Sequence, residues 1–478
     1  MKETNRRNTV AALIFSVFLT AMEGTVVATA MPTIAGTLGG VEYYSWIFAA
    51  FMIASSVMIP LYGKLADTLG RKPVLLGGLS LFVIASVLCG LATSLPMLVV
   101  FRVLQGLGAG ALQPLGLTIT GDLFHVEERG RVAALFGAVW ATAGVAGPMI
   151  GSLIVEHLSW HWIFFINLPL GLLAGGILWA NYHESVERRP SNLDHMGALL
   201  LAAAVVLALV GADRVGRGGT LWFLMSAACT AGFLLQERWA PEPVIARELF
   251  HRPLILFTNL SNVIVGAVLF TMISFLPLHV EGVLRKGAVA AGVCLLPMGV
   301  CWPVASSLTG RLLRRFSLKQ LAVGGMALVV TGTLLIASTQ AFLAHYLLLA
   351  LGMGCLGAGF GFFTTPLLFA VQNSVSWSER GVATSLVLFF RGVSGVIAVG
   401  LLGAALSWLL RHYPGLSVAM VEEMLGATHG IHLPPDVASL AMGALHESLR
   451  HVFVFAFAAS VVGFLYTLSM PQARLRPE

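Results

Sequence analysis

The chain alternates long apolar stretches with short polar breaks along nearly its whole length. Stretches bounded by charge, Gly or Pro predict helices near residues 9–30, 44–62, 74–93, 97–120, 132–155 and 162–181. Eight more follow near 195–212, 221–235, 254–278, 288–309, 321–338, 342–371, 382–410 and 452–470. A helix needs roughly 20 apolar residues to cross a hydrocarbon core about 30 Å thick, whereas a β-barrel strand alternates over about ten. The pattern therefore predicts an all-α integral membrane protein with fourteen transmembrane helices. The longest outer break, 411–450, contains apolar stretches at 421–425 and 437–449 that suit a short amphipathic surface helix.

An even number of spans puts both termini on one side, so the distribution of Lys and Arg can be tested for orientation. With cytoplasmic termini, twenty of the 28 basic residues fall inside and six outside, and Arg102 and Arg391 lie within spans. The split places the N- and C-termini in the cytoplasm.

A repeat relates the two ends of the chain. Gly63-Lys64-Leu65 with Lys72 and Gly77-Gly78 matches Gly310-Arg311-Leu312 with Lys319 and Gly324-Gly325 at an offset of 247. Gly108-Ala109-Gly110 matches Gly357-Ala358-Gly359 at 249, and Glu128-Arg129-Gly130 with Gly144 matches Glu379-Arg380-Gly381 with Gly395 at 251. Paired segments are eight spans apart, an even number, so the repeat is parallel and its axis lies along the membrane normal. This predicts a six-helix lobe over residues 1–190, an inserted hairpin of spans seven and eight over 191–240, and a second six-helix lobe over 241–478 that carries the outer loop 411–450.

Composition narrows the class. Of the 478 residues, 57% are apolar and 10% charged, too few charges to clothe a water-soluble domain. The net charge of +6 is scattered in short clusters between apolar runs, which argues against a nucleic-acid partner. The five cysteines lie within apolar runs without metal-ligand spacing, and the histidines show neither that spacing nor a Ser or Cys partner motif, so neither a metal site nor an enzyme is expected. There is no Gly-x-x-x-x-Gly-Lys-Ser/Thr loop to cradle ATP. Uphill transport would draw on an ion gradient, with no cofactor.

Charge inside the membrane costs several kcal/mol and normally faces a cavity or a partner. Glu23 lies about 20 Å along its helix, near mid-membrane. It reads either as a buried carboxyl that exchanges a proton or attracts a cation, or as a carboxylate permanently paired to a neighbouring helix. Arg102, one turn from Gln105, suits gating or the tuning of a nearby carboxyl. Arg391, roughly 15 Å into its span, is open between structural pairing and substrate contact. Gly144, Gly147, Pro148 and Gly151 read first as close-packing or hinge positions. Gln113, Trp140, Asn167, Asn259 and Asn262 are candidate cavity-lining groups, although satisfied interhelical hydrogen bonds would account for the polar ones.

Several of these segments resemble a known family. Gly63-Lys64-Leu65-Ala66-Asp67-Thr68-Leu69-Gly70-Arg71-Lys72 is similar to the signature loop of the major facilitator superfamily, in which the Asp and Arg form a charge latch at the cytoplasmic gate. Arg102-Val103-Leu104-Gln105-Gly106 resembles that family's proton-coupling motif, and Gly147-Pro148-Met149-Ile150-Gly151 its antiporter motif. Glu23-Gly24-Thr25-Val26-Val27 and Trp160-His161-Trp162 through Asn167-Leu168-Pro169 resemble the fourteen-span drug:proton antiporters in particular.

The resemblance implies a monomeric exporter in the cytoplasmic membrane that trades protons for lipophilic, cationic or amphiphilic small molecules by alternating access. Glu23 and Arg102 would couple the proton, and Gly63, Asp67, Gly70 and Arg71 would form the gate. A lipid exporter on the same fold and a non-transporting receptor or scaffold are the alternatives. The topology has a direct test. Alkaline phosphatase fused after Lys286 is expected to be active and fused after Arg315 inactive, and the reverse pattern would invert the orientation.

Overall fold

The computed structural model describes residues 4–38, 44–184, 194–213, 219–240, 243, 247–286, 288–339, 346–415 and 435–470. Among them the protein is all helical. The order is α1 (Arg6–Leu38), α2 (Tyr44–Leu69), α3 (Arg71–Gly90), α4 (Leu95–Leu123), α5 (Val126–His157), α6 (His161–Phe165), α7 (Asn167–Asn181), α8 (His195–Asp213) and α9 (Gly219–Trp239). Then come α10 (Arg247–Phe250), α11 (Pro253–Leu278), α12 (Ala288–Leu312), α13 (Leu318–Ser338), α14 (Tyr346–Ser374), α15 (Arg380–Arg411) and α16 (Pro435–Leu468). Eleven helices among the described residues are long and apolar enough to cross a membrane, with α6 and α7 forming one of them. The helices α2, α5 and α8 are outside those eleven. For α2 and α5 the side chains of parts of the apolar stretch lie outside the described residues, and the described apolar stretch of α8 is Met196–Ala208.

Local chemistry sets several boundaries. The Ser94 side chain caps α4 by accepting from Met97 N, and Ser317 and Gln320 form a reciprocal capping box on α13. Between α2 and α3 the expected ten-residue loop shrinks to one residue. Gly70 sits at φ +102°, a region that L side chains rarely enter, and lets α3 start at Arg71. The expected outer loop 411–450 also shortens. Pro435 opens α16, and 437–449 belongs to that helix rather than to a separate surface helix, because Ala441, Ala444, Leu445 and Leu449 are buried in the C-terminal core. The stretch 421–425 lies outside the described residues.

Buried apolar side chains gather into two large clusters. One draws on α1–α7, the other on α11–α16. They meet along two seams, α2 with α15 and α5 with α12. Small residues make both seams close. A Cβ on Gly63 would stand 2.8 Å from the Gly381 carbonyl, and one on Gly137 would stand 2.7 Å from Pro303. Helices α8 and α9 pack against each other, and Val205 of α8 joins Ile53 and Val57 of α2 beside Val393 of α15.

Glycine packing also corrects the register of the repeat. Gly106 lies against Phe51 and Gly357 against Met298 in the same way, and Gly110 against Ser55 matches Gly361 against Trp302. Gly108 meets Gly78, and Gly359 meets Gly325. The equivalent of Gly108 is therefore Gly359, an offset of 251 rather than the 249 read from the Gly-Ala-Gly string. The C-terminal copy thus gains one four-residue step between the third and fourth helices of the repeat and then keeps it.

Gly108 and Gly359 have no room for a side chain, since a Cβ would stand 2.7 Å from the carbonyl of Gly78 or Gly325. Gly108→Leu and Gly359→Leu are each expected to lower stability by about 1–3 kcal/mol or more. Gly77→Leu, with nothing within 4 Å of its Cβ, should be silent. Thermal unfolding of the purified protein reads all three.

Candidate functional site

Two polar clusters interrupt the apolar bundle. In the first, α1, α3, α4 and α7 bring Glu23, Ser86, Arg102, Gln105 and Asn167 together, all of them buried. Arg102 Nη1 lies 2.5 Å from Glu23 Oε1 and 2.7 Å from Gln105 Oε1, and Arg102 Nε donates to the Ile47 carbonyl at 3.2 Å. Asn167 Nδ2 donates to Glu23 Oε2 at 2.7 Å, so both carboxylate oxygens are held. Ser86 Oγ accepts from Asn167 at 2.8 Å and Gln105 at 3.1 Å while donating to the Phe164 carbonyl at 2.9 Å. Phe51 covers the guanidinium, its ring centroid 4.3 Å away.

Such a pair persists in an apolar interior because charge is neutralised and nearly every lone pair is met. The site is nevertheless close to open space. Gly24, the next residue, is exposed, and a Cβ there would meet nothing within 4 Å. On the other flank, Thr25 Oγ1 donates to the Ala143 carbonyl of α5 at 3.0 Å, and a Cβ on Gly147 would collide with that hydroxyl. Part of the antiporter-like motif therefore keeps α5 pressed onto α1 beside Glu23. Gly144 and Pro148 lie on the same helix, their side-chain surroundings outside the described residues, and Gly151 is buried.

The second cluster lies at the Asp67 end of the α2–α15 seam. Asp67 Oδ1 and Oδ2 accept from Gly381 N at 3.1 Å and Val382 N at 2.8 Å, the open N–H groups at the start of α15. Arg71 Nη2 stands 2.9 Å from Asp67 Oδ1 and donates to the Trp377 carbonyl at 2.8 Å, its guanidinium stacked over the Trp377 ring at 3.6 Å. Arg71 Nε is 3.2 Å from Asp122 Oδ2.

Arg380 reaches back across the seam to Asp122 Oδ1 at 2.9 Å and the Gly121 carbonyl at 3.0 Å. Arg129 reaches the other way, to Asn373 Oδ1 at 2.8 Å, and also binds the Gly121 carbonyl at 2.7 Å. Gly63 closes the seam and Gly70 fixes the turn. Burial pushes the Asp67 carboxyl up to about 7, against the pull of Arg71 and the two backbone donors.

The remaining candidates are dispersed. Gln113 is partly exposed and lies eight residues beyond Gln105 on α4, outside the Glu23 cluster. Trp140 is 45% exposed on α5. Asn259 and Asn262 are buried on α11. Asn262 Nδ2 bonds its own helix at Thr258, while Asn259 has no side-chain partner among the described residues, so neither makes the expected interhelical bond. Arg391 stands apart from both clusters. Sequence reasoning missed Ser86 and Phe51, which carry no signal within an apolar span. It also missed Asp122 and Asn373, although both lie seven residues before the repeated arginines.

An apolar helical bundle that buries an ion pair in its interior and clasps its two halves at one end has the build of a multi-pass membrane transporter, and the relatives agree. Residues 13–399 match the Major Facilitator Superfamily, and the chain belongs to that family. It is 33% identical over 413 residues to the multidrug transporter protein MdtP of Bacillus subtilis (strain 168), covering 85% of this chain and 76% of that one. It is 29% identical over 499 residues to multidrug resistance protein 3 of the same organism, covering 99% and 97%. Among solved structures, a proton:xylose symporter of the superfamily aligns with a TM-score of 0.63 at 14% identity, covering 97% of this chain and 96% of that one; at that identity the likeness concerns the fold.

The raised Asp67 titration has a directional consequence. A carboxyl that holds its proton more tightly in the clasped seam than in solvent favours the clasped state as pH falls through about 7, and the bias fades above it. Cysteine at Ser385, which faces Gly63 across the seam, should label more slowly with a maleimide at about pH 6 than at about pH 8, each normalised to denatured protein. Asp67→Asn should remove the difference.

Proposed function

We propose that this chain is a proton-coupled exporter of lipophilic amphiphiles, a fourteen-span drug:proton antiporter with its termini in the cytoplasm and the cytoplasmic membrane as its site. The multidrug names of the two Bacillus relatives support a broad substrate class, and the efflux-pump name of a relative in Dothistroma septosporum supports the outward direction. In this reading residues 1–190 and 241–478 form two lobes that rock about a central site, and α8–α9 within 191–240 is the added hairpin, seated against α2 and α15. The protein works as a monomer, needs no cofactor, and is driven by the proton gradient.

The observation that carries the reading is the Glu23–Arg102 pair beside exposed Gly24. Protonating Glu23 cancels its attraction for Arg102, which keeps Gln105, the Ile47 carbonyl and the Phe51 face as partners. Loss of that pair loosens α1 from α4, and α1 also packs on α5 at the Thr25–Gly147 contact. A proton taken up on one side and released on the other would thus alternate the packing of the three helices. Arg102 supplies the charge that returns Glu23 to its anion. The balance of charges inside the bundle weakens a dedicated cation site, since Glu23 is already matched by Arg102, and the substrate class is best drawn as amphiphilic.

In proteoliposomes Glu23→Gln is expected to abolish substrate accumulation driven by a pH gradient while leaving substrate-for-substrate exchange. Retained gradient-driven accumulation would refute the coupling role. The absence of any substrate-dependent flux in the parent protein would favour a scaffold.

A further inference from the structure

Arg391 lies about 16 Å along α15 from Arg380, at about 1.5 Å per residue. Its guanidinium has no hydrogen bond, ion pair or ring contact among the described residues. This contrasts with Arg102, which is matched by Glu23 at 2.5 Å. A charge at this depth costs several kcal/mol unless a cavity or counter-charge meets it.

The surroundings point to a cavity. Every residue of α15 from Gly381 to Phe389 is buried, and every residue from Phe390 to Ser394 is partly exposed. The clasped seam therefore forms a floor, and accessible space begins at the level of Arg391. Its neighbours fix its direction within the bundle. A Cβ on Gly266 of α11 would collide with the Arg391 carbonyl, while one on Gly392 would stand 3.4 Å from Ser56 of α2. Arg391 thus stands on the α11 side of α15, next to the line where the two apolar clusters meet. Long helical side chains lean toward the helix N-terminus. That carries the guanidinium toward the level of Asn262 and Asn259, one and two turns before Gly266 on the same face of α11. Both polar atoms of Asn259 and Oδ1 of Asn262 have unmet hydrogen-bonding capacity.

With Glu23 and Arg102 cancelling, Arg391 leaves the membrane interior of the described residues with one uncompensated positive charge. We propose that Arg391 is the headgroup anchor of the transported amphiphile and makes the pathway prefer anions over cations. The inference rests on the transport reading but is tested by binding alone.

The probes are fluorescein, an anion, and rhodamine 123, a cation on the same xanthene framework. Binding of each to the purified full-length protein in detergent, without any gradient, is followed by fluorescence anisotropy. The parent protein is expected to hold fluorescein at least about tenfold more tightly than rhodamine 123. Arg391→Gln should erase that preference, and Arg391→Lys should keep part of it because the charge remains while the planar fork is lost. Unchanged thermal unfolding of R391Q would show that the loss is local. No preference for fluorescein in the parent, or undiminished preference in R391Q, overturns the proposal. If the binding preference is as expected but neither dye moves in proteoliposomes, the transport reading fails and the anion site stands.

Discussion

A carboxylate surrounded by hydrocarbon persists only where neighbours replace the water it has lost, and the N-terminal half of this protein is arranged around that requirement. Glu23 draws Arg102 from α4 and Asn167 from α7, and Ser86 of α3 ties the second layer together. Four helices are thereby fixed to one another through a single acid. The same dependence makes the arrangement switchable. A bundle held by apolar packing alone would respond weakly to a proton, whereas removing one negative charge here weakens the hold on Arg102 and Asn167 directly, and through them on Gln105 and Ser86.

The clasp at the α2–α15 seam follows a second logic, that of a crossed pair. Arg380 binds Asp122, and its repeat counterpart Arg129 binds Asn373, the counterpart of Asp122. The geometry is that of a two-fold axis, but the chemistry is not, because one acceptor is charged and the other neutral. Asp67 adds a third link by accepting from the first N–H groups of α15. The acidic acceptors of the clasp therefore sit on α2 and α4, and α15 contributes donors.

Much of this was legible in the sequence where chemistry is local. The apolar runs marked the helices, whereas the loop read over 63–72 is a one-residue corner at Gly70, because α2 runs on to Leu69. Long-range pairing was not legible. Glu23 and Arg102 are 79 residues apart, and the carboxyl could be read as lone or paired until the helices were placed. The repeat was visible, yet its register slipped by two residues because Gly recurs at every second position in 106–110 and 357–361, and only the neighbours of each glycine separate the alternatives. The start of α16 was lost for a related reason. Polar residues at Glu447, Ser448 and Arg450 mask an apolar face that only the opposing helices reveal.

The Gly121 carbonyl, shared by Arg129 and Arg380, bears on how reversible the clasp can be. When the halves separate, Arg380 departs with α15, but Arg129 belongs to α5 and stays. The oxygen is never stranded without a donor, so separation carries no orphaned-carbonyl penalty at that point. What is surrendered is mainly the attraction between charges, a quantity that ionic strength and protonation can adjust. The doubled donor thus acts as insurance for the parted state, keeping the two arrangements close enough in free energy to interconvert.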